Sequence, residues 1–290
     1  AVCLFNACVG DLPIDVDDAD VAVVNCILTV DTVQNLSLSR AVKITENYYT
    51  STEIKEAQVI LQSNGQVIGE FERKGYGNWQ LNYTPVPGTA YQLLVTLQDG
   101  TELTASTKMP YTLSFSPENE KNKHPTKNFR QWSFYAPCWI YHLAETNRPE
   151  DLVHPAPSRT ARLAELIGTD HQLIDRFNEI GNVTEFVAAM PVYSYYIRIK
   201  PAELSTKEGI PFRLQFRSQY AFIYFLTASD EYDQYLKSSL QKMEVYQSED
   251  DPVQWFDEYK VYSNINNGKG IFAAYNVDNI FYDGDTSYPF

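Results

Sequence analysis

The sequence predicts a mainly β protein: an N-terminal immunoglobulin- or transthyretin-like β-sandwich, followed by a second β-rich domain with a few helices. Three observations carry this. Aromatic residues are 14% of the chain, with 21 Tyr, 15 Phe and 4 Trp, and such side chains suit pleated, half-buried surfaces. Through residues 21–109, short alternating apolar runs recur with a turn signal about every ten residues, the pattern of a sandwich of roughly seven strands. From residue 111 onward, strand-like runs are mixed with stretches of helical period.

The elements follow in order. Ala22, Val24, Cys26, Leu28 and Val30 share one face of an opening strand. Ala57, Val59 and Leu61 alternate up to Asn64-Gly65, the strongest short hairpin signal, and Val67-Ile68 begins the return towards Phe71. Trp79, Leu81 and Tyr83 alternate ahead of Thr84-Pro85-Val86-Pro87-Gly88. Tyr91, Leu93, Val95 and Leu97 lead to the Asp99-Gly100 turn, Leu103, Ala105 and Thr107 return, and Pro110 closes the unit. Domain organisation is therefore read as residues 1–20, an anchor segment and linker; 21–110, the sandwich; and 111–290, the mixed domain.

In the mixed domain, helices are expected near residues 158–181 and 229–243. Leu163, Leu166 and Ile167 make one apolar stripe, and Thr169-x-x-Gln172 reads as a capping box for a second helix ending at Gly181. Ser229 is a natural N-cap, with Asp230 and Glu231 placed to meet the helix dipole. Tyr232, Tyr235, Leu236, Leu240 and Met243 form the buried stripe of that helix. Tyr220–Leu226 is apolar on both faces and reads as a central strand. Val261–Tyr275 reads as a strand broken at Asn266-Asn267-Gly268 and Gly270.

Charge and composition narrow the function. The net charge is −14, which argues against nucleic acid or an anionic lipid face as partner. No run approaches the roughly 20 apolar residues of a membrane helix. AVCLFNAC at residues 1–8 instead resembles the end of a bacterial lipoprotein signal segment, with Cys8 as the acylated N-terminus and the aspartates of Asp15–Asp20 in an extended spacer. Cys26 and Cys138 lie far apart in apolar settings and read as buried thiols.

The chemistry-bearing motifs are few. The chain has no GxSxG, HExxH or phosphate-cradling Gly loop. His171 beside Asp170 reads as a solvated helix start. Asp15–Asp20 and Asp283-Gly284-Asp285 lack a full calcium-loop ligand pattern, so no metal or cofactor is expected. Exposed tyrosines and tryptophans could anchor a partner or a sugar at low entropic cost. The candidates are Tyr193, Tyr195, Tyr196 and Trp255, with Ile271 and Phe272 read equally well as filling a partner's pocket or as a bent strand in the second domain's own core.

Three segments give the chain a family likeness. They are Pro87–Leu93 running through Asp99-Gly100 to Ala105–Pro110; Ser229–Tyr232 with Tyr235–Ser238; and Tyr262–Phe272. In content and spacing these resemble the Bacteroidetes outer-membrane lipoproteins that carry the domain of unknown function 4249. The resemblance implies a surface-exposed, outer-membrane lipoprotein that is not an enzyme and that assists a TonB-dependent outer-membrane β-barrel in nutrient import. It supplies no catalytic or binding residues. Asp31-Thr32-Val33 is similar to the O-glycosylation acceptor of exported proteins in that group, which makes Thr32 a candidate modification site. Two other readings stand beside it: an autonomous carbohydrate- or peptide-binding surface module, and a hydrolase with an unrecognised carboxylate pair.

Overall fold

The computed structural model describes residues 20–41, 52–111, 136–143, 196–199, 220–247 and 261–283, plus four two-residue strands. The chain is mainly β. Its strands are β1 (Ala22–Leu28), β2 (Val33–Arg40), β3 (Ala57–Ser63), β4 (Gln66–Glu70), β5 (Glu72–Gly75), β6 (Asn78–Asn82), β7 (Ala90–Leu97) and β8 (Glu102–Lys108). They continue with β9 (Asn128–Phe129), β10 (Cys138–Leu143), β11 (Ile167–Gly168), β12 (Tyr196–Ile199), β13 (Ile210–Pro211), β14 (Gln215–Phe216), β15 (Tyr220–Ala228) and β16 (Lys269–Asp283). One helix, α1 (Asp230–Gln247), lies among the described residues.

Two sheets face each other. One has eight strands in the order β12-β10-β15-β16-β1-β2-β6-β5, the other four in the order β4-β3-β7-β8. Strict alternation in β7 and β8 sends Tyr91, Leu93, Val95, Leu103 and Ala105 inward. Those side chains meet Val24, Cys26, Leu28, Leu36 and Leu38 of the facing sheet in one core. The alternation ends where β1 ends. Val30, expected on the apolar face of the first strand, sits in the β1–β2 turn and is exposed.

The strand that organises the molecule is β16. Its first half pairs in parallel with β1, with Val24 opposite Gly270, Cys26 opposite Phe272 and Leu28 opposite Ala274. Its second half pairs antiparallel with β15, from Ala228 opposite Tyr275 to Tyr220 opposite Asp283. The large sheet thus crosses residue 110. Strands on either side of that point in the sequence share one hydrogen-bond ladder. Parallel pairing needs a long crossover, and here it spans nearly the whole chain.

From Ile271 to Tyr275, β16 is covered on both faces, and its side chains there divide between two cores. Phe272 and Ala274 join the sandwich core. Ile271, Ala273 and Tyr275 join a second cluster with Trp139, Leu226, Ala228, Tyr232 and Leu236. The close approach to β1 demands glycine at residue 270. Its φ is +107°, and a β-carbon there would run into the carbonyl oxygen of Val24.

The expected helix near 229–243 is present as α1, and β15 is a central strand between β10 and β16. Within the region expected to be helical near 158–181, Ile167–Gly168 is instead a two-residue strand paired with Gln215–Phe216. That pairing overrides the local helical period, a tertiary effect that propensity does not see. The rest of 158–181 lies outside the described residues.

Candidate functional site

The segments that carry the family likeness meet at one place, the seam where α1 and β16 join the sandwich. Ser229 starts it. Its hydroxyl accepts from the backbone N–H of Tyr232 at 3.3 Å, the expected N-cap bond, and from that of Ala274 on β16 at 3.2 Å. Its own N–H donates to the Ala274 carbonyl at 2.8 Å. Two residues on, Glu231 accepts from the Thr107 hydroxyl on β8 at 2.7 Å. The helix start is thereby tied to both sheets.

Tyr232 is buried and stacks on Tyr275, with ring centroids 5.3 Å apart. Beside them, Thr227 donates to the Tyr111 carbonyl at 3.0 Å and Asn276 reaches the Pro110 carbonyl at 3.5 Å. These bonds clip the end of the sandwich segment to β15 and β16.

The Asn-rich segment does the same work on the other side. Asn264 uses its side-chain amide as a strand would use its backbone. Its Oδ1 accepts from the Phe272 N–H at 2.9 Å and its Nδ2 donates to the Phe272 carbonyl at 2.7 Å. Asn266 pairs with Thr104 through backbone at 2.8 Å and side chain at 3.1 Å, and Asn267 donates to the Glu102 carbonyl at 3.0 Å. The free edge of β8, an invitation to mispairing if left bare, is covered by this segment.

Deeper in the seam is a buried charge cluster. Arg198 on β12 donates to Asp233 of α1 through Nε and a terminal nitrogen, each at 2.7 Å. Trp139 Nε1 on β10 donates to the same carboxylate at 2.9 Å, and Lys237 approaches it at 3.1 Å. Such a bidentate pair fixes the angle between helix and sheet as well as the charge. Around it, burial first and then the charges of Glu231 and Asp233 hold the Asp230 carboxyl above its ordinary range. Burial, with Glu231 and Asp230 nearby, also pushes the Tyr262 phenol up.

The predicted site residues fare unevenly. Ile271 and Phe272 are 1% and 0% exposed. They are core residues on opposite faces of β16, which corrects the expectation that they fill a partner's pocket. Thr32 is exposed in the β1–β2 turn, its carbonyl accepting from Tyr83 N–H at 2.9 Å. Tyr196 opens β12. Cys8, Tyr193, Tyr195 and Trp255 lie outside the described residues, as does His171. Cys26 and Cys138 are buried free thiols with pKa values raised by that burial. Among the described residues, no three His, Cys, Asp or Glu side chains stand together as metal ligands.

The Asp233–Arg198–Trp139 cluster escaped the sequence reading. Its members are dispersed through the chain, and no spacing links them.

The seam and the sandwich together form a β scaffold in which Ser229, Glu231, Asn264 and Asn266 hold strands and helix to one another. The chain belongs to the family described as Domain of unknown function (DUF4249), whose model matches residues 10–280. No curated protein and no solved structure matches the chain.

Proposed function

We propose that the protein is a non-enzymatic, surface-exposed lipoprotein of a Bacteroidetes outer membrane, tethered through Cys8, that serves a TonB-dependent β-barrel as accessory or cargo-binding partner in nutrient import. The observation that carries this reading is where the signature side chains go. Asn264 pairs with Phe272, Ser229 with Ala274 and Tyr232, and Glu231 with Thr107. These residues lie in the segments that carry the family likeness and serve the scaffold, and a scaffold on a tether suits docking. The spacer from Cys8 to Asp20, about a dozen residues, reaches ~20 Å as a coil and raises the effective concentration at a neighbouring barrel towards millimolar. A modest interface then suffices.

Exposed Thr32, in a turn on the sandwich, is accessible to the O-glycosylation that its Asp31-Thr32-Val33 context suggests. A mass shift of the Thr32 peptide from native protein is expected, and an unshifted peptide refutes that modification.

Fractionation tests the tether. Wild-type protein should sediment with the outer membrane and show an acylated Cys8 by intact mass. The Cys8→Ser variant should stay unprocessed or become soluble. An unmodified Cys8 in membrane-derived protein contradicts the proposal.

A further inference from the structure

The end of the sandwich at which β1 begins carries a side chain that the fold holds outward. Asp20 N–H donates to the Ala41 carbonyl at 3.0 Å and Arg40 reaches the Asp20 carboxylate at 3.3 Å, so Asp20, the first of the described residues, is held at this end. The β5–β6 turn stands at the same end. The Gly77 carbonyl accepts from Leu38 N–H at 2.8 Å, just before Arg40 on β2. Glu53, bridged to Ser39, pairs with Arg73.

Tyr76 forms the tip of that turn and is 95% exposed. Gly75, Tyr76 and Gly77 all have positive φ, at 102°, 54° and 74°. A β-carbon at Gly77 would sit 2.9 Å from the Leu38 carbonyl oxygen, so the turn is held close to β2. Side-chained residues adopt Tyr76's conformation reluctantly, and Asn or Gly would suit it better. An aromatic ring here gains almost nothing from packing against the described residues. Strain and full exposure together mark a residue kept for an outside contact. Of the charges around the turn, Arg40 pairs with Asp20, Arg73 with Glu53 and Lys74 with Glu72, and Lys55 stands near Glu53; the phenol ring is the neutral, amphipathic group among them.

We infer that Tyr76 is a membrane-contact residue, its ring settling among the lipid headgroups of the bilayer to which Cys8 tethers the chain. The inference rests on the lipid-anchor reading above. Tyrosine favours the membrane–water interface, where its ring is half buried and its hydroxyl stays wet. Asp20, to which the spacer joins, lies at the same end as the turn, and a dozen residues reach at most ~40 Å. A tethered end needs only a weak contact to settle. The aspartates of Asp15–Asp20 disfavour adhesion to anionic lipid, so the contact runs through the ring and is insensitive to salt.

The test uses native, acylated protein in phosphatidylcholine vesicles. Tyr76→Trp is compared with wild type in ordinary and in acyl-chain-brominated lipid, the difference isolating the added indole. That emission should be blue-shifted, quenched by bromine and unchanged by salt, with the melting temperature unaltered. Equal emission in both lipids, in protein whose mass shows an acylated Cys8, overturns the membrane contact and leaves the anchor standing. An unmodified Cys8 in protein that does not float with vesicles removes the anchor and this inference with it. A blue shift seen only when another protein co-purifies makes Tyr76 a protein contact, and also overturns it.

Discussion

Truncating Phe272 to alanine should cost the fold several kcal/mol. The side chain is fully buried, on the face of β16 that points into the sandwich core, and Asn264 pins its backbone on both sides. Phe272 sits opposite Cys26 in the parallel ladder, so its ring stands at the middle of the contact between chain start and chain end. A buried aromatic removes ~150–250 Å² from water, worth ~4–6 kcal/mol at ~25 cal/mol/Å² as an upper figure. Measured Phe→Ala truncations in cores fall at about 3–5 kcal/mol. In a chain of 290 residues each kcal/mol moves the melting temperature by roughly 1.6 °C, so a fall of at least ~5 °C is expected. Urea unfolding followed by circular dichroism gives the free energy directly. A Phe272→Ala variant with unchanged midpoint and slope would refute the core placement and restore Phe272 as a candidate surface contact. The same assay on Tyr76→Ser, at an exposed position, should show no loss.

Three further outcomes follow from the same geometry. Gly270→Ala should destabilise by more than ~2 kcal/mol, through positive φ and collision with the Val24 carbonyl, and a neutral result would show that β1 and β16 do not approach as described. Arg198→Met should cost about 3–5 kcal/mol by leaving Asp233 buried without its main partner. Pairing it with Asp233→Leu should cost less than the two single changes summed, and strict additivity would break the assigned pair. The Glu53 carboxyl is held below its ordinary 4.5, first by the Arg73 hydrogen bond and then by the Gly77 backbone. A lowered acid pKa contributes stability above the unfolded value, and that contribution is lost as pH falls through the folded one. Glu53→Gln should therefore flatten the fall of melting temperature below about pH 4.5, by a small amount because the pair is exposed. An unchanged profile would remove that pair from the account.

Much of the fold was legible because local patterns and tertiary structure agree there. The alternation in β3, β7 and β8, the Asn64-Gly65 turn and the Ser229 cap each follow from rules acting within a few residues. What was not legible is long-range. Nothing local says that Lys269–Ala274 pairs in parallel with Val23–Leu28, and so Ile271 and Phe272 read equally well as a surface wedge or as core. Gly268 and Gly270 read as breaks in a strand, when Gly270 is what lets the strand come close to β1. The buried Asp233–Arg198 pair was hidden because charged residues read as surface until a partner is in place. Tyr76 lies between two glycines in plain sight, and only its exposure and φ set it apart from the many other tyrosines.

The most direct measurement of the functional claim is the composition of the complex isolated in mild detergent from native outer membranes, through a tag on this chain. Native membranes should yield the chain acylated at Cys8 together with a large TonB-dependent β-barrel in fixed ratio. Recovery of the chain alone, with glycan or peptide binding by the isolated protein, would contradict it.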